Sequence, residues 1–169
     1  MEYNTSMITK EEYICLLKNE FRIIKHLAEK IQPDQLAHRP TEAQRNMQEL
    51  MAYLSQIFIS GIEGVVTGNP EAYKKYLGVG QAPTLENFAE MMDKQWTEVE
   101  PLLQSLTPEA MQEELTMWGR TQKRSLHLMG ILSIAAAYRM QLFLYMKQSG
   151  TSNIGTMNLW AGMDQPPKM

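Results

Sequence analysis

The chain has 169 residues and a mass of 19.4 kDa, the size of one domain with its own core. Its content, 44% hydrophobic and 21% charged, is ordinary for a globular protein, and a net charge of −3, from 16 Lys and Arg against 19 Asp and Glu, argues against a nucleic-acid binder with its basic patch. A single cysteine excludes an internal disulfide and fits a reducing cytoplasm, and three histidines narrow the metal chemistry open to the chain.

Residues 1–5 lack a basic start and an apolar run, so no signal peptide is expected. The most apolar stretch, 126–138, falls short of the roughly 20 apolar residues of a membrane span, so no membrane partner is expected. The first helix opens at Thr9, an N-cap followed by Glu11 and Glu12. Its stripe of Ile14, Leu17, Phe21, Ile24, Leu27 and Ile31 ends before Pro33. A second helix spans about 45–66 on Met47, Leu50, Met51, Leu54, Phe58, Ile62 and Val65. Residues 71–83 read as a loop or short helix. The third helix starts from Thr84 as N-cap, and Pro101 inside it predicts a kink or break. Thr107, Pro108 and Glu109 open one short turn, and the stretch 115–120 reads as a short extended piece and a turn. The fourth helix covers about 125–148, closed by Gly150. The expectation is one all-α domain over 1–169, a four-helix bundle with long crossover connections and a loose C-terminal tail from about 151. An irregular all-α domain is the alternative.

The chemistry-bearing residues are sparse. His26 reads as a solvent-edge residue, His38 as a loop histidine between two prolines, and His127 as a hydrogen-bonded histidine at the core edge. Cys15 reads as a small buried hydrophobe. No His-x-x-x-His or Glu-x-x-His pair occurs, and Glu49 and Glu63 lie too far apart along one helix to share an ion, so a di-iron bundle is not expected. Nucleophile-elbow and phosphate-loop motifs are absent. Fourteen methionines read as a malleable core.

Two stretches together resemble the DinB/YfiT-like family. One is Leu36-Ala37-His38-Arg39-Pro40 followed by the helix from Arg45 through Tyr53 and Leu54. The other is Ile134-Ala135-Ala136-Ala137-Tyr138-Arg139-Met140-Gln141-Leu142, similar to a His-x-x-x-His-Arg-Gly-Gln-Leu segment in the family's last helix. The resemblance covers roughly residues 9–150. It implies a four-helix bundle with a long crossover, often dimeric, whose members frequently hold zinc or nickel on three histidines, some of them serving thiol-dependent transferases or isomerases. The ligand positions fall here at Tyr53, Ile134 and Tyr138, none of them histidine. Isoleucine offers no lone pair, and a phenol with its ordinary pKa of about 10 is a poor ligand.

The expectation is therefore a metal-free DinB-like bundle, without cofactor. It would be a binding or interaction module and a homodimer, with a Tyr53–Tyr138 hydrogen bond in place of the ion and a small-molecule pocket as the alternative use of that space. The competing reading is a thiol-dependent transferase or hydrolase using the inter-helix cleft, with His127 as its base. A third is a metalloenzyme with atypical ligands, His127 plus a carboxylate.

Overall fold

Each of the first two long helices begins where a capping residue meets an apolar stripe. The structure, a computed structural model, describes residues 8–76, 78 and 82–164. Helix α1 (Lys10–Ala28) starts on a reciprocal cap: Thr9 Oγ1 accepts from the Glu12 amide at 3.1 Å, and Glu12 Oε2 accepts from the Thr9 amide at 2.7 Å. Helix α2 (Met47–Thr67) repeats the device with Asn46 and Glu49, both bonds 2.8 Å, and stops at Gly68, whose φ of 69° is the left-handed C-cap glycine favours. The loop ahead of α2 completes its start. His38 and Leu36 carbonyls take the Met47 and Gln48 amides at 2.9 and 3.1 Å, and Arg39 grips both Glu49 carboxylate oxygens at 2.9 Å.

Helix α3 (Phe88–Gln104) begins one turn later than Thr84, because Thr84 and Asn87 first close a turn on each other, at 2.7 and 3.3 Å. Pro101 does not break it. The residue sits in the last turn, where its missing N–H costs only one ladder bond. The short α4 (Pro108–Gln112) is capped by Thr107. The expected extended piece is two strands, β1 (Glu114–Met117) and β2 (Arg120–Lys123), paired antiparallel with Leu115 opposite Gln122. Trp118 and Gly119 join them with φ of 48° and 77°, the double left-handed turn that matches strand twist. Helix α5 (Arg124–Gln148) follows without a gap.

Helices α1 and α2 each pack against both α3 and α5, which makes α1–α2 and α3–α5 the diagonals of the bundle. The connection through α4 and the hairpin thus crosses the bundle, whereas 68–87 joins neighbours. Every residue of the α1 and α2 stripes named above is buried, as are Leu128, Ile131, Ala135, Leu142 and Met146 of α5. Cys15 is exposed, contrary to expectation, because it stands one step off the Ile14–Leu17 stripe. Polar side chains stitch the layers. Gln95 of α3 inserts its amide beside the α2 ladder, accepting from the Phe58 and Ile59 amides and donating to Leu54 O, all at 3.0 Å. Arg124 is buried and satisfies carbonyls at the end of α2, Val65 and Val66, at 2.5 and 2.8 Å.

The tail expected to be loose from about 151 is packed as far as the structure describes it. A π-helical turn (Met157–Ala161) lies on α1, where Arg22 donates to the Ala161 and Gly162 carbonyls at 2.7 and 3.0 Å and Asn158 is fully buried. Polar bonds hold it beside the buried Ile154 and Leu159, too few apolar residues to make a stripe in the sequence. Residues 165–169 lie outside the described residues. The stretch 126–138 was judged too short to span a bilayer, but the whole of α5, like α2, is long and apolar enough by length and composition alone, a test that core helices of soluble bundles also pass.

Candidate functional site

The two tyrosines meet. Tyr53, two turns into α2, packs its ring on that of Tyr138 of α5 with centroids 5.0 Å apart and planes tilted by 57°. Arg45, the residue before the α2 cap, lays its guanidinium over the Tyr53 ring at 4.0 Å. Burial, and then the neighbouring Tyr138, push the Tyr53 phenol well above its ordinary range, and only the Arg45 charge opposes them. The phenol is therefore protonated at neutral pH.

The other two expected residues do not join this pair. Ile134, one turn before Tyr138, is 42% exposed, so it stands at the surface beside the seam between α2 and α5. His127 is buried under the hairpin instead. Its Nε2 meets Leu115 O at 3.1 Å, its Nδ1 meets the Gln122 amide nitrogen at 3.2 Å, and its ring stands edge-on to Trp118 at 6.2 Å. Eleven residues of helix, about 16 Å along the axis, separate it from Tyr138. His127, Ile131, Ile134 and Tyr138 follow one another at helical spacing on one face of α5, but sharing a face is not sharing a height. The base required by the enzyme reading is thus occupied elsewhere.

Other polar groups are engaged in structural contacts. Glu49 is spent on the α2 cap and on Arg39, which hold its carboxyl below the usual range. Glu63 is bound by Tyr76 and Lys75, which lower its carboxyl likewise. Arg139 points away from the tyrosines, to Glu20 of α1 at 3.1 Å and Leu159 O at 2.9 Å, under the Trp160 ring. Burial raises the Glu20 carboxyl, and Arg139 opposes the rise. His38 is the group the sequence undervalued. Its Nε2 is buried with no hydrogen-bond partner among the described residues, and its ring stands edge-on to Tyr145 at 6.0 Å. Tyr145 lies two turns beyond Tyr138 on the same side of α5, and its hydroxyl accepts from Gln141 at 2.9 Å.

No family model matches the sequence, and no curated protein matches it. Solved structures do. A DinB-like protein of Bacillus subtilis, YjoA, superposes with a TM-score of 0.69 at 17% identity, over 85% of this chain and 95% of that one. A DinB-like protein of Bacillus cereus gives 0.69 at 16%, over 86% and 96%, and a DinB-family candidate from Exiguobacterium sibiricum gives 0.67 at 19%, over 88% and 96%. The chain has the DinB-like fold.

At the DinB-like metal positions, as the sequence resemblance assigns them, the donor set does not fit a divalent ion. Isoleucine has no donor atom, and a phenol whose pKa is raised resists the deprotonation that ligation needs. Among the described residues no three His, Cys, Asp or Glu side chains converge elsewhere. What the site does hold is a flat cation, phenol hydroxyls, and an apolar flank at Ile134.

Proposed function

We propose that the chain is a metal-free binding module on the DinB-like fold, without cofactor, and that its site is the tyrosine end of the α2–α5 seam. The observation that supports this reading is the Arg45–Tyr53–Tyr138 stack. Arg45 is exposed, and no carboxylate of the described residues lies within ion-pair distance of it, so a guanidinium held by stacking keeps its fork of donors free. The Tyr53 phenol, held protonated, supplies a further hydrogen bond but no nucleophile or base at neutral pH. Such a site orients a small molecule bearing a carboxylate or phosphate and gives it no reacting group. The module acts as a homodimer in the cytoplasm, without nucleic-acid or membrane partners, in keeping with the net charge of −3 and the single cysteine.

Metal analysis of the purified, untagged protein after zinc and nickel loading tests the reading. The expected result is no stoichiometric ion. One ion per chain, lost in Tyr53→Phe, would overturn it.

A further inference from the structure

The segment that follows α5 is fastened to the bundle mainly by polar bonds. Over residues 154–164 only Ile154 and Leu159 are buried apolar anchors. Arg22 of α1 donates to the Ala161 and Gly162 carbonyls, and Arg139 of α5, paired with Glu20, donates to Leu159 O at 2.9 Å under the Trp160 ring. Gly162, at φ 55°, lies so close to α1 that a Cβ on it would fall 2.8 Å from the Arg22 guanidinium and 3.0 Å from Ile23. Few apolar anchors and many bonds near water suit a segment that opens ahead of the bundle.

Asn158 ties this segment to a titratable group. Its Oδ1 accepts from the Gly155 amide at 2.8 Å. A backbone N–H cannot reverse its role, so the side-chain amide has one orientation, with Nδ2 toward His26 Nε2 at 3.1 Å and Asp164 Oδ1 at 3.0 Å. One amide hydrogen goes to each. His26 Nε2 must therefore be bare, with its proton on Nδ1. An imidazolium would aim Nε2–H at an N–H donor, against a side chain that is fully buried.

We propose that residues 154–164 are an acid-released strap, which stays on α1 while His26 is neutral and lifts from it when His26 is protonated. The strap stands or falls independently of what binds at the tyrosine seam. The charges facing His26 are Lys30, Arg22 and Glu29 from α1 and the turn after it, and Asp164 from the strap itself. Asp164, 3.6 Å away, would reward the proton, but its carboxylate is exposed and its Oδ1 already serves Lys30 and Asn158. Burial of the ring, and then Lys30, prevail and lower its pKa. Docking is therefore complete above the free imidazole value of about 6.5 and weakens as pH falls through it. Glu20, beneath the strap, works the other way. Burial raises its carboxyl, so acid favours the docked state there. Asp164, lowered chiefly by Lys30, stays ionised over the same range. Lifting the strap would bare the Glu20–Arg139 pair that joins α1 to α5.

Amide hydrogen exchange of the full chain at pH 7.5 and 5.5, expressed as protection factors, tests the strap. The reporters are the amides of Gly155, Leu159 and Met163, which bond to Asn158 Oδ1, Gly155 O and Met157 O. Their protection is expected to fall at least about fivefold between the two pH values, the lower bound for setting one buried donor against another, while α2 amides keep theirs. His26→Gln, whose Oε1 can accept from Asn158 without titrating, should keep the strap protected at both values. Asn158→Ala should leave it poorly protected at both. Constant protection in the wild type, or an equal fall in His26→Gln, overturns the proposal. So does a simultaneous loss of protection in α2, which would make the opening global. Full protection of Asn158→Ala at pH 7.5 would also overturn it, because the strap would then hold without the side chain that senses His26.

Discussion

The seam between α2 and α5 has two ends built on different terms. At one end Gly61 and Gly64 let the elements close. A methyl group on Gly64 would lie 3.1 Å from Asn69 O and 3.4 Å from Met117, and one on Gly61 would lie 3.3 Å from the Ile131 side chain. Beside them His127 has both ring nitrogens engaged. At the other end aromatic rings meet between the helices, a guanidinium rests on the Tyr53 ring, and His38 keeps an unpaired buried nitrogen. The same pair of helices thus carries a saturated structural end and an end with unspent polar groups. Binding needs the second kind, because a group already satisfied gains nothing from a ligand.

The comparison predicts unequal costs. The largest belongs to Gly64→Val, which drives a branched side chain into the Asn69 backbone. Despite the roughly 0.5 kcal/mol or less of helix propensity gained on replacing glycine by a β-branched residue, we expect a net loss of about 2–3 kcal/mol in urea unfolding. A neutral result would mean that this end is not close-packed. Next comes His127→Leu, which strips two hydrogen bonds from beneath the hairpin and should cost about 1–2 kcal/mol. The tyrosine end should respond less than the glycine end. Tyr53→Phe keeps the ring and removes one hydroxyl, so stability should change by no more than about 1 kcal/mol. A loss equal to that of His127→Leu would make the tyrosines a structural crosslink and dissolve the distinction.

The stripes were legible because burial follows helical period. Leu50, Leu54 and Phe58 could be placed in the core from spacing alone, and so could Leu17 and Ile24. Side chains that act on distant backbone were not. Nothing local marks Gln95 as the residue that inserts beside the Leu54–Phe58 ladder bond, or Arg124 as the cap of a helix that ends 57 positions earlier. The site was half legible. Tyr53, Ile134 and Tyr138 followed from motifs that fix heights along two packed helices, but spacing did not show that Ile134 would stand at the surface, and His127 was placed by face only. His38 was missed because its isolation arises from packing against Tyr145, a residue more than a hundred positions away.

The smallest expected effect lies in the C-terminal segment and is a matter of pH. His26 Nε2 sits 3.1 Å from the Asn158 amide and 3.6 Å from Asp164, whose carboxylate also binds Lys30 at 2.5 Å. Burial, and then Lys30, lower the His26 pKa against the pull of Asp164 and Glu29. The folded chain then holds fewer protons on this ring than the unfolded chain, whose imidazole titrates near about 6.5. The stabilisation is complete above that value and is lost as pH falls through it toward the folded pKa. Asp164 is lowered chiefly by Lys30, so its own contribution persists until more acid pH. Melting temperature should therefore decline between pH 7 and 5.5 in the wild type and decline less in His26→Asn. Equal slopes in the two proteins would assign the acid sensitivity to a group other than His26 and leave the segment's anchoring to the Arg22 contacts alone.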